Sequence, residues 1–85
     1  MTYAIRVLAA ARKGLRKVPA ADAARIDAKI LALSENPKPP DAEKLKGGAG
    51  ELRVRVGDYR IVYEVDEGVL VVVVIAIGHR REVYR

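Results

Sequence analysis

Nine consecutive apolar residues, Val69–Ile77, constrain this chain more than any other feature of it. Most are β-branched, which suits a strand, and no position in the run could face water through a polar side chain. A strand apolar on both faces belongs in the middle of a sheet, flanked on each side and covered on both faces. Nine residues are too few to cross a bilayer as a helix, so the run implies a buried strand and no membrane association.

The preceding residues supply neighbours for that strand. Leu52, Val54 and Val56 alternate with Arg53 and Arg55, and Tyr59, Ile61, Tyr63 and Val65 alternate with Arg60, Val62 and Glu64. Gly57-Asp58 between them is a two-residue hairpin turn, and Asp66-Glu67-Gly68 turns the chain again into the apolar run. At the other end, Thr2–Leu8 sets Tyr3, Ile5 and Val7 against Thr2, Ala4 and Arg6, the pattern of a half-buried strand. Ala9–Lys17 is rich in good helix formers and predicts a short helix despite Gly14. Val18-Pro19 interrupts it. A second helix follows from about Ala20 to Ser34, with Ala23, Ile26, Ile30 and Leu33 in one apolar stripe. Asn36-Pro37 ends it, and residues 37–50 read as a loop long enough to suggest mobility or use. The expected class is α+β in the order β-α-α-β-β-β: a helical hairpin packed on a mainly antiparallel four-stranded sheet, one domain over residues 1–85.

Hairpin register turns this pattern into a statement about charge. With Gly57 and Asp58 as the loop, Val56 pairs with Tyr59, Arg55 with Arg60 and Val54 with Ile61. Arg53, Arg55 and Arg60 then share the face away from the core. Like charges opposed across a strand pair cost some tenths of a kcal/mol, so folding alone would avoid Arg55 opposite Arg60. An anion between them removes the conflict, and guanidinium grips phosphate at two points. The bland alternative is a solvated strand face whose arginines splay apart toward Glu51 or Glu64. A net charge of +5 and a pI near 9.8 fit a phosphate-bearing partner. Without cysteine, and with a single histidine, the chain offers no disulfide, thiolate site or convincing metal site. No cofactor is expected, and the absence of cysteine together with an N-terminus unlike a signal peptide suggests a cytoplasmic protein.

The segment Gly78-His79-Arg80-Arg81-Glu82-Val83-Tyr84-Arg85 leaves the end of the central strand, where its first side chains can be aimed. His79 has the one side chain here that titrates near neutrality in the absence of a perturbing environment, though lone histidines are more often surface or stacking residues. Arg80 and Arg81 add cations. Tyr84 reads either as a core anchor or as a platform for an unpaired base.

Taken together, Lys44-Leu45-Lys46-Gly47, the run Leu52–Val65 and Gly78–Tyr84 resemble the RelE branch of the RelE/ParE toxin superfamily, whose order of elements matches the whole chain. The resemblance implies a toxin of a type II toxin–antitoxin system that occupies the ribosomal A site and cuts mRNA by attack of a ribose 2′-oxygen on the adjacent phosphate. It also implies a cognate RelB-like antitoxin, and hence a toxin–antitoxin hetero-oligomer. By position, Arg53 and Arg55 stand where the family often has lysines. Arg60 matches an arginine that stabilises charge on the pentacoordinate phosphate, and Arg80 one that assists the leaving 5′-oxygen. Tyr84 matches a substrate-stacking tyrosine and Lys46 a residue that contacts mRNA. Lys44, His79 and Arg81 complete the expected substrate-binding set.

The lysine-to-arginine exchange matters chemically. A guanidinium with a pKa above about 12 is a poor base, so Arg53 and Arg55 are expected to stabilise charge rather than take a proton. The deprotonating group is then open, with His79 as one candidate. Two other functions remain in view: a ParE-like DNA gyrase inhibitor, and a non-catalytic RNA- or ribosome-binding module.

Overall fold

A computed structural model describes residues 2–45 and 47–81. Among them, β1 (Ala4–Val7), α1 (Ala9–Arg16), α2 (Ala20–Glu35), β2 (Glu43–Lys44), β3 (Leu52–Val56), β4 (Tyr59–Asp66) and β5 (Val71–His79) follow in order. The strands form one sheet in the order β1-β5-β4-β3-β2. The β1–β5 pair is parallel and the others are antiparallel. The apolar run is therefore central, between β1 and β4, as its composition requires.

The expected α+β class and helical hairpin are present, but the sheet has five strands rather than four. Glu43-Lys44, inside the segment read as a loop, pairs with Arg53 and Leu52. Two charged residues carry no alternation from which a strand could be read. Their pairing is closed instead by the Leu45 N–H, which donates to the Glu51 carbonyl at 3.1 Å. The central strand also starts and ends two residues later than its apolar run. The Asp66 carboxylate accepts the N–H groups of Gly68 and Val69 at 3.0 and 3.3 Å, and so prolongs the turn through Leu70.

Both helices cover one face of the sheet. Ile26, Ile30 and Leu33, three of the four residues in the predicted stripe, are buried against Val54, Ile61, Tyr63, Val72 and Val74, and Ala23 packs at the margin. Helix α1 lies so close to β5 that a Cβ on Gly14 would stand 1.8 Å from the Ile77 carbonyl oxygen. Glycine there costs helix propensity and permits the close packing. In β5, Val72 and Val74 face the helices, yet so does Ile77. The parity changes because Val62 pairs with Ala76 and Tyr63 with Val74, leaving Ile75 as the extra residue of a bulge.

The connection after α2 is tied down. Tyr63, fully buried, donates its hydroxyl to the Pro37 carbonyl at 2.7 Å, and Lys29 of α2 pairs with Asp41 at the same distance. Burial pushes the Tyr63 phenol up to about 12, with the Asp41 charge adding to the shift. A phenol whose folded pKa lies above its unfolded value of 10.0 stabilises fully below pH 10 and loses that contribution as pH rises to about 12.

Two outcomes follow for stability. Gly14→Ala, which in an open helix would stabilise by about 1 kcal/mol, is expected to destabilise by roughly 1–3 kcal/mol because the added methyl overpacks β5; urea midpoints measure it. Between pH 10 and 12 the wild type should lose about 2–3 kcal/mol through Tyr63, at 1.36 kcal/mol per pKa unit. Tyr63→Phe should flatten that part of its stability–pH curve.

Candidate functional site

The hairpin register is the one read from the sequence: Val56 opposite Tyr59, Arg55 opposite Arg60 and Val54 opposite Ile61. Gly57 takes φ +60° as the first loop residue, a conformation that glycine adopts without strain. Alternation then puts Leu52, Val54 and Val56 into the core and Arg53, Arg55 and Arg60 on the face without helices. These three arginines line one small cavity of about 80 Å³, together with Asp41 and Glu43.

The two carboxylates had no counterpart in the sequence reading. Arg53 Nη2 donates to Glu43 Oε2 at 3.3 Å, across the short β2–β3 pair. Arg55 turns along its strand, and its Nε donates to the Gly57 carbonyl at 3.0 Å. That contact draws its head toward the turn. The second acid differs from the first: the Lys29 ammonium holds the Asp41 carboxyl below its usual range. Asp41 is thus committed to α2, whereas Glu43 is two-thirds exposed. The cavity offers three guanidiniums to an oxyanion, beside a solvent-exposed carboxylate that is itself paired with Arg53.

Strand geometry also separates residues that the sequence grouped. His79 pairs with Tyr59, so it lies on the helix side of the sheet, where the two rings meet edge to face at 5.8 Å. Its Nδ1 accepts the Arg81 N–H at 3.3 Å. With Gly14, Lys17, Val18, Ile77 and Gly78, these rings line a separate cavity of about 280 Å³. Lys44 pairs with Leu52 and shares the helix side too. Arg80 is different: it lies in the turn after β5, where its N–H donates to the Asp58 carbonyl at 2.8 Å beside the Gly57-Asp58 loop. Lys46 and Tyr84 lie outside the described residues. The structure thus groups Arg53, Arg55 and Arg60, with Arg80 at the turn, and leaves Lys44 and His79 on the other side. Arg81 is exposed beside His79. Glu43, which lines the cavity, was not singled out from the sequence; its only signal there was an acid among the lysines of a presumed loop.

Comparison with known proteins follows the same line. The model of the family described as ParE toxin of type II toxin-antitoxin system, parDE, matches residues 5–84. Toxin RelG of Mycobacterium tuberculosis is 31% identical over 86 aligned positions, covering 100% of this chain and 99% of that protein. Among solved structures, the toxin–antitoxin complex RelBE2 from Mycobacterium tuberculosis contains a chain with a TM-score of 0.84 and 29% identity, covering 94% of this chain and 100% of that one. The archaeal RelE-RelB complex from Pyrococcus horikoshii gives 0.82 and 29%, over 96% and 99% of the two chains.

If the Arg55–Arg60 opposition serves an anion, removing it should separate stability from binding. Arg55→Thr is expected to leave the free protein as stable, or some tenths of a kcal/mol more so. The rise in Tm that inorganic phosphate gives the wild type should shrink in the variant, since a ligand stabilises only through the state it binds. Thermal melts with and without phosphate read both effects.

Proposed function

The chain belongs to the ParE toxin family of type II toxin–antitoxin systems, and from that premise we propose that it is a RelE-type endoribonuclease that cuts mRNA on the ribosome. It is a toxin of the RelE/ParE superfamily. The observation that carries the finer reading is the cavity in which Arg53, Arg55 and Arg60 converge beside Glu43. A family fold alone would not require it.

In this reading the scissile phosphate sits against the three guanidiniums. Glu43 takes the proton of the ribose 2′-hydroxyl, and the 2′-oxygen attacks phosphorus. The P–O5′ bond breaks, leaving a 2′,3′-cyclic phosphate. The departing 5′-oxygen is protonated from solvent, with the Arg80 guanidinium offsetting its charge. Arg53, Arg55 and Arg60 stabilise the extra negative charge of the pentacoordinate transition state, where guanidiniums act without moving a proton. Glu43 replaces His79 as the proton acceptor because His79 stands on the other side of the sheet. So small and open a site benefits from having its substrate held by another body, which favours mRNA already positioned in the ribosomal A site. Two relatives of known structure, from Mycobacterium tuberculosis and Pyrococcus horikoshii, are in toxin–antitoxin complexes, and a RelB-like antitoxin is the partner proposed here.

The name of the matching family keeps a second reading open, action on DNA gyrase by a ParE-type toxin. Translation of a defined mRNA by purified ribosomes, with breaks mapped by primer extension, separates the two. Wild type is expected to give A-site breaks. Arg60→Ala should slow them by roughly 100-fold or more, in line with the removal of one transition-state donor. Glu43→Gln should slow them by about 100-fold or more, the usual size of a general-base contribution. Intact mRNA with trapped gyrase–DNA complexes would replace the ribonuclease reading with the gyrase one.

A further inference from the structure

The chain's net positive charge is concentrated in its first 21 residues. From Asp22 to the C-terminus, eleven Lys and Arg are matched by eleven Asp and Glu. The whole +5 comes from Arg6, Arg12, Lys13, Arg16 and Lys17, in a stretch of 21 residues without one acid. The fold gathers four of these. Arg6 of β1 and Arg12, Lys13 and Arg16 of α1 line a concavity of about 430 Å³, walled also by Val7, Leu8 and Ala9. All four cations are exposed, and none pairs with a carboxylate among the described residues.

Folding does not ask for this arrangement. Lys13 and Arg16 in the last turn of α1 suit the helix dipole, but Arg12 lies near the positive end, where a cation is unfavourable. Arg12 and Arg16 are also a like-charge i,i+4 pair, which costs an isolated helix a few tenths of a kcal/mol. The concavity lies at the β1 edge, three strand spacings from the Arg53 and Arg55 strand, or about 14 Å at about 4.8 Å each. It is a separate place from the cavity already described.

We propose that this shelf is a second phosphate-binding site, which holds the backbone of double-helical RNA. Its lining contains no aromatic residue on which an unpaired base could stack, so single strands gain little there beyond charge. Duplex RNA presents phosphates and 2′-hydroxyls and is bound largely by shape and charge. An acidic protein segment fits less well, because protein interfaces are built around aromatic and apolar anchors and the shelf offers only Val7, Leu8 and Ala9. The site does not rest on the ribonuclease reading: a chain that cut nothing would still carry it.

The test is binding of the full-length chain to a blunt-ended RNA duplex, followed by fluorescence anisotropy between 50 and 200 mM salt, the range over which phosphate binding weakens strongly. Arg12→Glu/Arg16→Glu, with circular dichroism and urea midpoint unchanged, is expected to weaken binding at least tenfold at the lower salt. The slope of its log Kd against log salt should fall in proportion to the number of phosphates that the variant no longer neutralises. Arg25→Glu/Lys38→Glu alters net charge equally at other positions and should keep the slope. Wild type that fails to bind the duplex, equal weakening in both variants, or an unchanged slope in the shelf variant would each overturn the proposal. A shelf variant that binds duplex normally but no longer binds an antitoxin peptide would reassign the surface to protein.

Discussion

Strand β5 must hold the core at one end and deliver the site at the other, and the extra residue Ile75 lets it do both. Val72 and Val74 face the helices at even positions. Had the alternation continued, Ala76, Gly78 and Arg80 would have faced them too, and His79 would have stood among the arginines. The bulge opposite Val62 and Tyr63 exchanges the two sides. Ile77 now fills the core beneath α1, where Gly14 lets the helix approach its carbonyl. Beyond it, His79 falls against Tyr59 and Arg80 falls beside the Gly57-Asp58 turn. The composition of the site is therefore a consequence of how the core is packed.

The conflict on the arginine face is small beside what holds the hairpin. Opposed like charges on a strand pair cost some tenths of a kcal/mol. On the other side of the same two strands, Val54, Ile61 and Tyr63 are almost wholly buried. Each such side chain contributes on the order of 1.5–3 kcal/mol. The hairpin can therefore carry unfavourable charge on one face because its other face is an anchor. The contacts of Arg53 to Glu43 and of Arg55 to the Gly57 carbonyl reduce the repulsion further without filling the cavity.

What the sequence made legible were features set by local pattern. The apolar run could only be central, the α2 stripe marked its buried face, and Gly57-Asp58 fixed the hairpin register and with it the three-arginine face. What it hid were features set by pairing. Strand β2 is two charged residues with no alternation, held by the closure of the loop that follows it, so neither the fifth strand nor the place of Glu43 had a periodic signal. The side of His79 was hidden for a related reason. In a run apolar on both faces, a bulge changes which residues are inward without changing any residue type, so the pattern reads the same with or without it. The ring that looked like the missing proton acceptor sits behind the sheet, and a carboxylate from the supposed loop sits in front.

The distribution of charge then assigns different ranges to the two basic surfaces. Around the arginine cavity, Asp41 and Glu43 stand among the guanidiniums, and the chain from Asp22 onward is neutral in sum. The excess charge of such a site is partly offset within its own walls, and salt screens the remainder within about 8 Å. In the proposed reading its strength is at contact, where a phosphate would meet planar donors. The N-terminal corner is the reverse: five cations follow in sequence without an acid, and four of them line a shelf that holds no carboxylate. A surface of that kind attracts polyanions before any fit is made and raises the rate of encounter. A cavity that relies on close fit gains most from a partner already brought near. Placing the uncompensated charge at the opposite edge of the sheet supplies that attraction from outside the cavity.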